Sequence, residues 1–89
     1  MKNNGDQLTI SAEINFTASE VYAVVENEDG TILNSHLNLS SGDGINYSTQ
    51  LSVDSNYNGK NFVAVHGVVS GSGEDLICQA TDGSNWVKK

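Results

Sequence analysis

Between residues 8 and 16 every even position is apolar and every odd position is polar. Leu8, Ile10, Ala12, Ile14 and Phe16 alternate with Thr9, Ser11, Glu13 and Asn15. An extended chain turns successive side chains to opposite faces, so a period of two gives a half-buried β-strand with one apolar face. An α-helix would scatter the same residues around its circumference. The pattern returns over residues 45–53, where Ile45, Tyr47, Leu51 and Val53 share the inner face with Thr49, and Asn46, Ser48, Gln50 and Ser52 face out.

Between these two runs lies a hairpin around Glu28, Asp29 and Gly30. A two-residue turn would set Val21, Ala23 and Val25 opposite Asn38, His36 and Asn34. A three-residue loop with Gly30 in the left-handed region moves the partner by one, so the valines share a face with Leu33, Leu37 and Leu39, and only Ser35 spoils the match. A slip of one residue flips every side chain, so the apolar pairing selects the longer loop, with a bulge at Gly30.

Residues 62–69 are apolar on both faces, as suits a central strand. A strand over residues 76–80 follows the Ser70 to Gly73 turn, and Trp86 and Val87 extend or cap it. Further turn clusters occupy residues 40–44 and 54–59. Gly, Asn and Asp do the turning, because Pro is absent. Short strands separated by turns, with no helical stretch, predict an all-β, immunoglobulin-like antiparallel sandwich of six or seven strands. The 89 residues suffice for one domain, with residues 1–6 and 88–89 expected to fray.

Charge excludes several partners. The net charge is −7, and all four basic residues are lysines: Lys2, Lys60, Lys88 and Lys89. A nucleic-acid binder needs clustered cations to displace counterions from phosphate, and an anionic membrane surface repels this chain for the same reason. A partner found through electrostatics is basic, or is itself a cation. Cys78 is alone, so no internal disulfide forms. No signal-type apolar stretch opens residues 1–7. Use without secretion, and excision from a longer secreted chain, both fit; the second places the protein outside the cell or on a virion surface.

Residues 58–82 carry a resemblance. Asn58 and Gly59, Phe62, the alternating Val63 and Val65, the Ser70 to Gly73 turn and the Ala80 to Gly83 ending resemble the close of a bacterial or phage immunoglobulin-like or fibronectin-type-III-like repeat. Residues 21–25, followed by the 28–31 turn, look like the third strand of such a repeat. The paired cysteines and core Trp of antibody domains are missing, and Trp86 stands at the wrong end. The resemblance implies a scaffold that hosts many unrelated functions.

Candidate sites are few. Asp54, Asn56 and Asn58, ahead of Gly59, match the first half of a calcium loop, with Asp43, Glu74 and Asp82 as further oxygen donors. The carboxylate that should follow eleven residues after Asp54 is replaced by Val65. A plain Asn/Asp turn is the favoured reading, and calcium is the only cofactor with candidate ligands. His36, His66 and Cys78 lack zinc spacing; the register turns His36 outward and leaves His66 half-buried. No nucleophile, base and orienting group occur together, and acids such as Glu26 and Glu28 sit at a strand end, so the chain reads as a non-enzyme. Phe16, Tyr47 and Phe62 read as core. Tyr22, Tyr57 and Trp86 offer a stacking platform for a glycan, although covering the core end and bracing a loop are the simpler roles for Trp86 and Tyr57.

Tyr22, Val24 and Ile32 form an apolar strip on a face that should meet water, which marks an interaction surface. The expected function is therefore a non-catalytic binding or structural module of a surface or virion-associated protein, with a protein partner. Two alternatives stand beside it: an acidic, phage-encoded inhibitor docking on a basic protein, and a calcium- or carbohydrate-binding module.

Overall fold

The computed structural model describes residues 2–4, 7–53, 57, 59–78 and 85–88, with the side chains of 2–4, 59, 60 and 85–88 left aside. Among these residues the chain forms β1 (Lys2–Asn4), β2 (Gln7–Glu13), β3 (Ala18–Asn27), β4 (Ile32–Asn38), β5 (Asn46–Ser52), β6 (Gly59–Val69), β7 (Asp75–Cys78) and β8 (Asn85–Lys88). Two antiparallel sheets result. The smaller has the order β1-β2-β5, and the larger the order β4-β3-β6-β7, with β8 pairing the other end of β6. Six strands thus make the body of an antiparallel β-sandwich, and β1 and β8 are short additions at its termini.

The alternation of residues 8–16 translates directly into burial. Leu8, Ile10, Ala12 and Ile14 are all buried, and Phe16 packs against them. They meet Val21, Ala23 and Val25 of β3 and Val63 and Val65 of β6, which are buried from the facing sheet. Each fully buried valine, leucine or isoleucine contributes about 1.5–3 kcal/mol relative to exposure, so this double layer is the main source of stability. The β6 strand lies between β3 on one side and β7 and β8 on the other, so it is a central strand; Val63 and Val65 are buried on its inner face, and Phe62, Ala64 and Val68 are half-buried on its outer face.

The β3–β4 hairpin has the three-residue loop. Asn27 N–H donates to the Thr31 carbonyl at 3.0 Å, Gly30 N–H donates to the Asn27 carbonyl at 3.1 Å, and Gly30 has φ +90°. Ala23 faces Leu37, and Leu39 N–H donates to the Val21 carbonyl at 2.8 Å, so Leu37 and Leu39 share a face with Val21 and Ala23 as expected, although two residues beyond the direct continuation of the Asn27–Thr31 pair. Closer to the turn the ladder shifts twice, so that Val25 faces Asn34 and Glu26 faces Ile32. Ser35 therefore falls inside an irregularity and never opposes Val25. The Asn34 side-chain oxygen accepts the His36 N–H there at 3.1 Å, satisfying a donor within the irregular stretch.

The chain leaves the larger sheet within a single step. Leu39 still bonds β3, whereas Ser40 and Ser48 already exchange N–H···O bonds of 2.9 and 3.0 Å on the smaller sheet. Asp43 then fixes the loop, as one carboxylate oxygen accepts the N–H groups of Ile45 and Asn46, both at 2.8 Å.

Two core expectations are corrected. On β6 it is Asn61 that points inward and is fully buried, while Phe62 lies on the outer phase opposite Glu26. Asn61 holds its place because its amide donates to the Tyr57 carbonyl at 2.6 Å. Ile45 does not join the core either. It stands 51% exposed just before β5, where the Asp43 loop ends and the alternation has not yet begun.

Candidate functional site

The outer face of the larger sheet carries a connected set of polar side chains drawn from four strands. Since Val21, Ala23 and Val25 point inward, Glu20, Tyr22 and Val24 must point outward. The register Tyr22↔His66 sets His66 beside Tyr22, and Ile77 lies beyond His66 on β7. On the opposite flank, His36 comes from β4.

The three rings stack. Tyr22 lies 4.1 Å from His36 at an interplanar angle of 13°, and 4.8 Å from His66 at 5°. Because β4 and β6 flank β3 on opposite sides, the two imidazoles cover the two faces of one phenol ring. Each imidazole is tied to a carboxylate. His36 Nε2 is 3.1 Å from Glu20 Oε2, and His66 Nδ1 is 2.9 Å from Asp75 Oδ1. An ionised carboxylate only accepts, so these two ring nitrogens carry the protons. The other oxygen of Asp75 accepts the Tyr22 hydroxyl at 2.5 Å.

These contacts set the proton affinities. The hydrogen bond to Asp75 raises the Tyr22 phenol above its ordinary value, with burial and the charges of Asp75 and Glu20 acting in the same direction. The Tyr22 hydroxyl and then His66 hold Asp75 below the ordinary carboxylate value. Both groups move away from neutrality. General acid–base work requires movement toward it.

The expected strip is present in part. Tyr22 and Val24 share the outer face with half-buried Ala64, which pairs with Val24. Ile32 is 49% exposed opposite Glu26, and Ile77 is 76% exposed opposite His66. The acids beside this surface are Glu20, Glu26 and Asp75. Tyr57 is a correction: at 7% exposure it belongs to the core cluster and is closed to a ligand. Its carbonyl bonds Asn61, so it braces the approach to β6. Trp86 lies on β8 opposite Asn61, with its side chain outside the described ones. The calcium candidates Asp54, Asn56 and Asn58 lie outside the described residues. Among the described residues no three His, Cys, Asp or Glu side chains gather as a metal site. Cys78 lies on the inner phase of β7, packed against the core and away from both histidines.

The sequence pattern turns Tyr22 and His36 outward, but does not join them to His66, Glu20 and Asp75. The usable signal was phase. Both histidines fall on outward positions of the strands that flank Tyr22; the β3–β6 register aligns His66 with it, and the shifted β3–β4 ladder brings in His36.

A second feature opens at the end of the sandwich, where residues 14–17 meet the Asp43 loop. It is a cleft of about 660 Å³ whose lining includes Ile14, Phe16, Ile45 and Tyr47 together with Glu13 and Asp43. Compared with known proteins, this chain matches no protein-family model, no curated protein and no solved structure.

Proposed function

We propose that this chain is a non-catalytic, immunoglobulin-like binding module of a surface or virion-associated protein, and that the outer face of its larger sheet holds a protein partner. One observation carries the reading: the row Ile77–His66–Tyr22–His36 runs across β7, β6, β3 and β4, with its rings stacked and its polar atoms fixed by Glu20 and Asp75. Side chains ordered in advance lose less entropy on association, and exposed Ile32 and Ile77 supply apolar area at either side. The neighbouring acids and the net charge of −7 favour a partner with a basic surface.

Catalysis fits poorly, because the phenol and the carboxylate are displaced from the range where they exchange protons at neutral pH. Sugar stacking also fits poorly. Both faces of Tyr22 are occupied by imidazoles, and Tyr57 is buried.

The test is comparative capture from an extract of the source organism. Wild type, an Ile32→Asp/Ile77→Asp variant and a Gln50→Asp control on the exposed side of β5 are immobilised in parallel. The reading expects a protein retained by wild type and control and lost by the double variant. If every retained protein binds all three alike, the face is not a docking surface. The acidic-inhibitor alternative expects retention that is insensitive to the isoleucines and collapses as salt shortens the screening length.

A further inference from the structure

We propose that the cleft at the end of the sandwich is a socket for a lysine or arginine side chain of a protein partner. Its volume, about 660 Å³, falls within the roughly 300–1,000 Å³ of ordinary ligand pockets. It would hold one long side chain together with part of the adjoining backbone.

The chemistry of the walls selects the occupant. Ile14, Ile45, Phe16 and Tyr47 present apolar and aromatic surface, while the charged lining residues are Glu13 and Asp43, both acids. A basic side chain matches both halves, because its methylene stem lies on apolar surface while its head seeks carboxylates and aromatic rings. An anion meets two negative charges. A neutral apolar group would remove water from those carboxylates without replacing its hydrogen bonds.

The bonds around Asp43 favour its ionised form. Asp43 accepts from the backbone of Asn46 and Ile45 and from the side chains of Asn46 and Ser41, which holds its carboxyl far below the ordinary carboxylate range. Glu13, the exposed last residue of β2, lines the same cleft. The exposure of Ile45 follows from the same geometry. The Asp43 loop presents it at the cleft instead of in the core, where the alternation would have placed it.

The socket shares no residue with the stacked row on the outer sheet face, so the two can be tested apart. The ¹⁵N-labelled protein is titrated with N-acetyl-leucyl-arginine amide, with its neutral citrulline analogue and with tetramethylammonium chloride, following the backbone amides. Saturable shifts are expected at Phe16, Gly44 and Ile45 with the arginine peptide. Binding should weaken at least about fivefold with citrulline, and about two- to fivefold in Glu13→Gln. Ile45→Ser should weaken it further. Both positions are exposed, and retained amide dispersion verifies the fold of each variant. Equal binding of the citrulline peptide, or no saturable shift, overturns the proposal. Tetramethylammonium binding as tightly as the peptide overturns the assignment to a protein side chain, in favour of a small free cation. Shifts centred on Tyr22 and His66 overturn it as adsorption to the other face. Capture of a partner through the Ile32 and Ile77 face, undisturbed by Glu13→Gln, would leave the proposed function standing whatever the socket does.

Discussion

The Tyr22 hydroxyl on β3 reaches past β6 to donate to Asp75 on β7, at 2.5 Å. The two strands are not neighbours, so this bond ties three strands together from the solvent side. Its second effect is on the His66 ring, which lies between them in the sheet. That ring is held to Asp75 by one edge and to Tyr22 by one face.

The sign of this bond's pH dependence follows from both partners. Tyr22 is raised from 10.0, so its contribution is present below that value and is lost as pH rises through the folded value. Asp75 is lowered from 3.8, so its contribution is present above that value and is lost as pH falls through the folded value. The stabilisation is therefore complete between roughly pH 5 and pH 9 and declines on both sides. The difference in urea midpoint between wild type and Tyr22→Phe should be greatest within that window. A difference that stays constant from pH 3 to pH 11 would show that the hydroxyl makes no such bond. In Asp75→Asn, the Tyr22 phenol should titrate nearer its ordinary value when followed by NMR.

Asp43 tests the same linkage on one side only. Its carboxyl is lowered, first by the Asn46 backbone N–H and then by that of Ile45. Its stabilisation is full above the ordinary carboxylate value and disappears as pH falls toward the folded one. Asp43→Asn should be less stable than wild type at pH 7, with the gap closing in strong acid. Carbon-13 shifts of the Asp43 carboxyl should remain those of the ionised form well below pH 3.8. Ordinary titration there would mean that the loop bonds do not persist in solution.

Gly67 is required by Phe16. A Cβ at position 67 would stand 2.7 Å from Phe16 Cζ, 3.3 Å from its Cε2 and 3.5 Å from Cys78 Sγ. Gly67→Ala should destabilise by about 1–3 kcal/mol through overpacking. Phe16→Leu should recover part of that loss in the double variant, measured by chemical denaturation as a double-mutant cycle. Simple additivity of the two changes would place the ring elsewhere.

At Gly30 the constraint is the backbone alone. Its φ is +90°, and a Cβ there would meet nothing within 4 Å. Gly30→Ala should cost about 1–2 kcal/mol from left-handed strain, and Gly30→Asn should cost less. Equal stability of the alanine variant would mean that the loop takes another turn type in solution.

Period-two alternation over residues 8–16, the two-sided apolar run of β6 and the Asp29–Gly30 and Ser70–Gly73 turns were enough to determine an antiparallel sandwich with β6 inside a sheet. These are local signals. Each strand's phase is written in its own side chains, and each hairpin's loop in its own glycine. Tyr22 was legible as outward for the same reason.

What only the tertiary structure decided depends on strands distant in sequence. The β3–β6 register pairs residues more than 30 positions apart, and no turn encodes it; yet it is what sets His66 against Tyr22. The shifts in the β3–β4 ladder take Ser35 out of the apolar comparison that selects the register. Phe62 and Ile45 are apolar residues that the sequence assigns to the core. Asn61 displaces the first by finding a backbone partner inside, and the Asp43 loop holds the second at the cleft. Alternation states which residues share a face, whereas the packing of two sheets decides which face is closed and where it ends.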